Sequence, residues 1–565
     1  MSAKRPKATF SITDYKFDES SVKAITEDKF INLWPLIYII SNDKIGEAYI
    51  GESTNAYKRM RNHLSNQDRL RLNTLHLITS DEFNKSAALD IEFNLIKYIA
   101  ADKKYKLQNV SPGLVYHTYY EQEKYLEMFQ KIWLELKKRK LAQYDLKQIN
   151  NTDLFIYSPY KSLSIDQYEV TLSLIKLLIE NDKNSIFIEG SAGTGKTILA
   201  IYLIKLLVSA YQNLEDEEDI EDKEELDLLN SFKKKYKTLE IGLVVPMTSL
   251  RSTLKKVFRN IKGLRANMVI GPSEVLNKKY DILIVDEAHR LRRRVGITNY
   301  RSFDENNETL KLGEAGDELD WVLKQSKHQI FFYDMAQSIK PSDIRKEKFI
   351  SLKSKKESSV LKLKSQHRVK GGIDYIEYVD KLLTCKLKKN ESIFKSKDYE
   401  FVLFDSMKQL IDAINIKEDE FGLCRLVAGY SWVWKSKNQK SATDIKIEGI
   451  NLKWNSTNAD WINSKTAKHE VGCIHTTQGY DLNYVGIIFG NEISYNPITN
   501  EIIIKKENYH DRNGKVGIKT KDAEELKTYI INIYKTLMFR GVKGTYIYVC
   551  DKNLREYFKE HIKIN

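Results

Sequence analysis

The sequence predicts an α/β protein: a small α/β module followed by two doubly wound parallel-sheet lobes. Three observations lead there. Residues 190–197 read Gly-Ser-Ala-Gly-Thr-Gly-Lys-Thr between a short apolar strand and an apolar run at helical spacing. Residues 280–289 form a second apolar strand that runs into two adjacent carboxylates, Asp286 and Glu287. Further apolar strands near residues 241–246, 330–334, 400–404, 425–428, 485–489 and 545–550 alternate with helical stretches. Such alternation builds parallel sheets covered on both faces. A chain of 565 residues is too long for one core and divides into roughly three or four domains. The expected blocks are an N-terminal extension (1–32), the small module (33–118), a helical connector (119–155), a first lobe (156–345) and a second lobe (346–565).

Composition limits the partners. The net charge is +14, although residues 215–227 alone hold ten acids and one lysine, leaving +23 on the rest. That surplus suits a polyanion, nucleic acid before membrane, or else a lysine-rich solubilising surface. The acidic stretch reads as a solvated insertion, with nucleic-acid mimicry as the sharper alternative. Cys385, Cys424, Cys473 and Cys550 lie far apart, with neither metal-ligand spacing nor a disulfide framework, as in a reduced, cytoplasmic protein. No export signal and no membrane-spanning run is expected.

Within the small module, residues 36–40 and 48–51 are apolar and flank a polar break, which predicts a hairpin carrying Tyr38 and Tyr49. The spacing of Tyr57, Met60 and Leu64 predicts a helix with Arg59 and His63 on one face. A second helix over residues 87–98 carries Glu92, and Asn109 follows it. A carboxylate for a divalent metal, an arginine for phosphorane charge and a phenol or imidazole beside water suit phosphodiester hydrolysis. These residues resemble the GIY-YIG nuclease family over residues 33–117. The resemblance implies catalytic roles for Tyr38, Tyr49, Arg59, His63, Glu92 and Asn109, with Glu92 the metal ligand (Mg²⁺, or Mn²⁺). One position departs: the first signature reads Leu-Ile-Tyr where the family has glycine. The charged residues 136–140 of the connector read as a solvated helix face.

Residues 190–197 fit the phosphate-loop pattern at every fixed position. Gly190, Gly193, Thr194 and Gly195 let the backbone curl around phosphates, Lys196 reaches them and Thr197 holds Mg²⁺. Asp286 orients the metal, and Glu287 is the base toward the attacking water. Gln337 follows the next strand and is placed to sense the γ-phosphate, while Thr248, Ser249 and Arg251 offer backbone contacts to nucleic acid. Four tryptophans (Trp432, Trp434, Trp454 and Trp461) stand among lysines and read as packed against the sheet before they read as base-stacking platforms. The order of these motifs resembles superfamily 1 helicases, and within them Schlafen-type domains, from about residue 158 onward. The resemblance implies two RecA-like lobes with ATP between them. It adds Gln167 as an adenine reader, and Arg368 and Arg540 as arginine fingers.

Together these readings predict an ATP-dependent DNA nuclease-helicase or translocase in prokaryotic defence. DNA repair, an RNA-directed enzyme and a nucleotide-gated DNA-binding protein with an inactive nuclease module are the alternatives. The expected partner is single- or double-stranded DNA, with RNA, a homo-oligomer and a partner protein left open.

Overall fold

The structure is a computed structural model. It describes residues 9–25, 29–109, 119–161, 163–180, 182–191, 193–211, 223–334, 337–364, 369–388, 391–457, 460–477, 479–511, 513–516 and 523–565. The chain divides into two compact units. The first comprises Met1–Ile179, Ile198–Leu239 and Lys255–Ala266; the second comprises Glu180–Thr197, Glu240–Leu254 and Asn267–Asn565.

In the first unit, strands β1 (Ser11–Lys16), β2 (Leu36–Asn42), β3 (Glu47–Ser53), β4 (Thr74–Thr79) and β5 (Lys106–Leu107) form one sheet in the order β1-β4-β2-β3-β5. Its pairings are antiparallel except β3 with β5. The predicted hairpin is β2–β3, whose register places Tyr38 opposite Gly51. Two helices pack against this sheet. Ala56–Ser65 begins at Asn55, whose side chain accepts the Lys58 N–H, and buries Ala56, Met60 and His63. Lys85–Asp102 is capped by Asn84 in the same way and ends at Lys103 in the left-handed conformation. Side-chain caps of this kind satisfy N–H groups that lack a partner inside the helix. Tyr38, Tyr49, Met60, Leu75 and Leu77 share one core, so the two tyrosines are part of the packing. The connector is the helix Gln122–Lys138, which buries Met128, Phe129, Ile132 and Trp133. Its basic end pairs on the surface: Arg139 meets Asp14 at 2.9 Å, and Lys138 meets Glu135 at 3.3 Å.

The second unit holds two six-stranded parallel sheets. β6 (Ser185–Glu189), β7 (Ile241–Val244), β8 (Val269–Ile270), β9 (Tyr280–Val285), β10 (Ser326–Tyr333) and β11 (Ser358–Lys362) follow the order β11-β6-β10-β9-β7-β8. The other sheet draws on β12 (Glu400–Phe404), β13 (Arg425–Ala428), β16 (Val471–Gly472), β17 (Leu482–Phe489), β20 (Gly541–Val549) and β21 (Lys563–Ile564), in the order β16-β13-β17-β20-β12-β21. Two antiparallel ribbons complete the set: β14 (Ile445–Ile447) with β15 (Ile450–Leu452), and β18 (Ile493–Asn496) with β19 (Glu501–Ile504). Along β17, Val485, Ile487 and Phe489 enter one core while Tyr484 and Ile488 enter another. Burial on both faces is why these strands read as continuous apolar runs.

Trp454 and Trp461 are buried, their indole N–H groups donating to the Gly472 carbonyl and to Glu470. Trp432 and Trp434 pack partly buried against the same sheet, so the packing reading of these indoles holds. The four cysteines are unpaired as disulfides. Among the described residues, no helix is long and apolar enough to cross a membrane.

Candidate active site

In the first unit, the helix Ala56–Ser65 aims Arg59 and His63 at the β2–β3 hairpin. Arg59 Nε donates to the Tyr38 hydroxyl at 2.9 Å, and its Nη2 donates to the Tyr49 hydroxyl at 3.2 Å. The Tyr38 hydroxyl lies 2.8 Å from His63 Nε2. Burial, then the charges of Arg59 and Arg69, hold the His63 pKa well below the usual histidine value, so the ring is neutral. The result is a hydrogen-bonded chain of guanidinium, phenol and imidazole. Gly51 makes room for it: a Cβ there would sit 2.2 Å from the Tyr38 hydroxyl oxygen.

Asn109 lies beside this cluster in a bracing position. Its amide accepts from Ile50 N–H at 3.2 Å and donates to the Ile50 carbonyl at 2.8 Å, extending the sheet next to Tyr49. Glu92 is half-buried on the helix Lys85–Asp102. Among the described residues no three His, Cys, Asp or Glu side chains gather as a metal cage. One carboxylate with water and substrate phosphate oxygens is a donor set that suits Mg²⁺.

Arg69 carried no sequence signal. It is buried, its guanidinium carbon lies 3.8 Å from the centre of the Tyr49 ring, and its Nη1 donates to Gln108 Oε1 at 2.7 Å.

In the second unit, Gly193 and Gly195 adopt left-handed backbone conformations, which glycine alone reaches without strain. A Cβ at Gly190 would meet Thr194 Oγ1 at 2.5 Å. Lys196 Nζ donates to the carbonyls of Gly190 at 2.6 Å and Ser191 at 3.0 Å, with Asp334 Oδ2 at 3.7 Å. Thr197 Oγ1 donates to Asp286 Oδ2 at 2.8 Å. A hydroxyl and a carboxylate are oxygen donors that would suit a divalent cation such as Mg²⁺. Burial and the neighbouring Glu287 push the Asp286 pKa up, a penalty that a cation would relieve.

Glu287 takes φ 49° and ψ 49°, a conformation that costs a non-glycine residue free energy and recurs where function demands it. Its Oε2 lies 3.1 Å from His289 Nε2, outside hydrogen-bond alignment. The His289 ring is kept neutral by burial first and by the charge of Arg290 second. Gln337 Nε2 donates to Asp334 Oδ2 at 2.6 Å, so Asp334 stands between Gln337 and Lys196. Sequence reading took Asp334 only as a strand end. The signal was its place at the C-terminal end of β10, which pairs with β6 ahead of the phosphate loop.

Residues 183–551, well over half of the chain, match the Schlafen group 3, DNA/RNA helicase domain. The chain belongs to that family. Residues 35–106 match the GIY-YIG catalytic domain, so a nuclease domain precedes the Schlafen-type helicase region. The uncharacterized protein YPL245W of Saccharomyces cerevisiae is 24% identical over 401 residues, covering 65% of this chain and 82% of that protein. Similar solved structures include the Pif1 helicase from Bacteroides with ADP-AlF3 and ssDNA (14% identity, 66% of this chain, 91% of that chain, TM-score 0.27). Another is the Pif1 helicase from Candida albicans (12% identity, 71% and 98%, TM-score 0.27).

The remaining expected residues of the Schlafen-type region fall in three places. Arg540 is buried, with Nη1 3.4 Å from the Tyr480 carbonyl, and its charge reaches His289. Gln167 belongs to the first unit and accepts the Ser164 N–H at the start of its own helix. Arg368 lies outside the described residues. Ser249 and Arg251 also have partners within the protein. Ser249 lies 3.3 Å from the Tyr480 hydroxyl and accepts the Asp460 N–H, while Arg251 donates to the Val245 carbonyl. Thr253 joins Tyr480 at 2.6 Å, so this hydroxyl row ties the two sheets' segments together.

Proposed function

We propose that the chain is an ATP-dependent, metal-dependent DNA nuclease-helicase or translocase whose nucleotide state gates the cut. The observation that carries the nuclease part is the Arg59–Tyr38–His63 chain beside Tyr49. Tyr38, its hydroxyl held by Arg59 and His63, orients the attacking water, and Arg59 meets the charge that develops on the phosphorane. A Mg²⁺ or Mn²⁺ ion held by Glu92 would supply Lewis-acid polarisation of the scissile phosphate.

On the ATPase side, a triphosphate takes Lys196 over from the loop carbonyls, and Glu287 accepts the proton of the attacking water. Thr197 and Asp286 would hold the Mg²⁺. Gln337, Arg540 and Arg368 sense and neutralise the γ-phosphoryl group.

Support for gating comes from within the first unit. The helix Lys196–Ser209 opens at the loop lysine and joins that unit from Ile198 onward. Its buried Lys205 donates to the Lys262 carbonyl at 3.1 Å, and Lys262 Nζ reaches Asp68 at 3.0 Å, one residue from Arg69. A differential affinity of about 1–3 kcal/mol between two arrangements changes activity roughly 5- to 150-fold. The pairing of nuclease and ATPase supports defence against foreign DNA as the setting, in a cytoplasmic protein.

The test incubates the pure protein with plasmid, linear, branched and single-stranded DNA and matching RNA, with and without ATP and Mg²⁺. Metal-dependent DNA cleavage whose rate changes with nucleotide is expected. Cleavage of none of these substrates, or identical rates with and without nucleotide, would contradict the reading.

A further inference from the structure

We propose that Arg69, held in place by Gln108, is a positioning residue of the nuclease centre that fixes the Tyr49 ring. The proposal rests on the nuclease reading above and names a residue that the signature of that site does not contain.

Arg69 opens the short turn Arg69–Arg71, which Asn66 anchors by accepting the N–H groups of Asp68 at 2.9 Å and Arg69 at 3.2 Å. That anchor turns the side chain inward, where it is only 4% exposed. The guanidinium lies on the face of Tyr49 at 3.8 Å, and the other side of the clamp is the Gln108 carbonyl oxygen. Gln108 is itself fixed, because its amide donates to Glu47 at 2.8 Å and to the Asp68 carbonyl at 3.0 Å. The His63 ring meets Tyr49 at 4.8 Å in an edge contact, so cation and imidazole together hold the phenol where Arg59 reaches its hydroxyl.

A buried charge is tolerated only where geometry and partners compensate it. Two of this one's contacts, the Tyr49 ring face and the Gln108 amide oxygen, tie it to Tyr49. The depth of the side chain also separates it from Arg59, which is half-exposed. Arg69 therefore acts through Tyr49 and makes no phosphate contact of its own.

The test compares Arg69→Met, Arg69→Lys and Gln108→Leu in the full-length protein, by steady-state DNA cleavage and by ¹⁹F NMR of 3-fluorotyrosine-labelled protein. The Tyr49 resonance is assigned by its disappearance in Tyr49→Phe. Loss of the clamp should lower cleavage turnover about 10- to 100-fold, leave KM for DNA within about 2-fold because no phosphate contact is removed, and leave ATP hydrolysis unchanged. Arg69→Lys keeps the charge without the planar fork, so it should lose less than Arg69→Met. In Arg69→Met and Gln108→Leu the Tyr49 resonance should move more than any other tyrosine signal. Turnover of Arg69→Met within 2-fold of the parent, or a loss confined to KM, overturns the proposal. So does a Tyr49 resonance unmoved in both variants, which decides the matter even for a parent protein that cuts no substrate offered.

Discussion

Replacing Gly51 with alanine is the sharpest test of the nuclease geometry, because it adds one methyl group at a point where the packing leaves none. The new Cβ would lie 2.2 Å from the Tyr38 hydroxyl oxygen and 2.4 Å from its ring carbon, against an ordinary contact limit of 3.4 Å. Tyr38 and Gly51 face each other in register across β2 and β3, and Tyr38 is fully buried, so the phenol has no free direction to move. Relief requires a shift of about 1.2 Å, and misplacement on the order of 1 Å costs catalysis about 100-fold. Overpacking of a closed core costs a further ~1–3 kcal/mol of stability. Gly51→Ala should therefore cut DNA about 100-fold more slowly, unfold at lower urea concentration and hydrolyse ATP at the parent rate. A variant that cleaves and unfolds like the parent would refute the reasoning, since Tyr38 would then not be confined by Gly51.

Two further outcomes follow from the same geometry. Lys196→Ala should abolish phosphate release from ATP, whereas Glu287→Gln should abolish it while still binding a fluorescent ATP analogue; loss of binding in Glu287→Gln would remove the base assignment. For pH, His63 is kept neutral by burial and two guanidinium charges, so its folded pKa lies below the unfolded value of about 6.5. Below that value the unfolded chain binds the extra proton, and stability falls as pH falls. Urea unfolding at pH 7.5 and 5.5 should show His63→Gln losing less on acidification than the parent, and an equal or greater loss would contradict the burial argument.

What the sequence made legible is what spacing can encode. The phosphate loop, the Asp286–Glu287 pair and the β2–β3 hairpin each sit in a fixed local pattern, and the structure forms strand, loop and helix there. The helix that carries Arg59 and His63 was readable from three apolar residues and an i, i+4 pair. Arg69 and Gln108 were not readable, because they lie 39 residues apart and meet through tertiary packing rather than periodicity. Asp334 was hidden similarly, as one acid after a strand, until β10 paired with β6 and brought it to Lys196. The contacts of Ser249 with Tyr480 and of Arg251 with the Val245 carbonyl were likewise invisible in composition.

The central claim is that one chain carries two chemistries at two separate sites. It is tested most directly by measuring DNA cleavage and ATP hydrolysis side by side in the parent, Glu92→Ala and Tyr49→Phe proteins with Mg²⁺. The account predicts that both variants lose cleavage and keep ATP hydrolysis near the parent rate, because Glu92 and Tyr49 belong to the first unit and the phosphate loop to the second. Cleavage at the parent rate in both variants, or loss of ATP hydrolysis along with it, would contradict the claim.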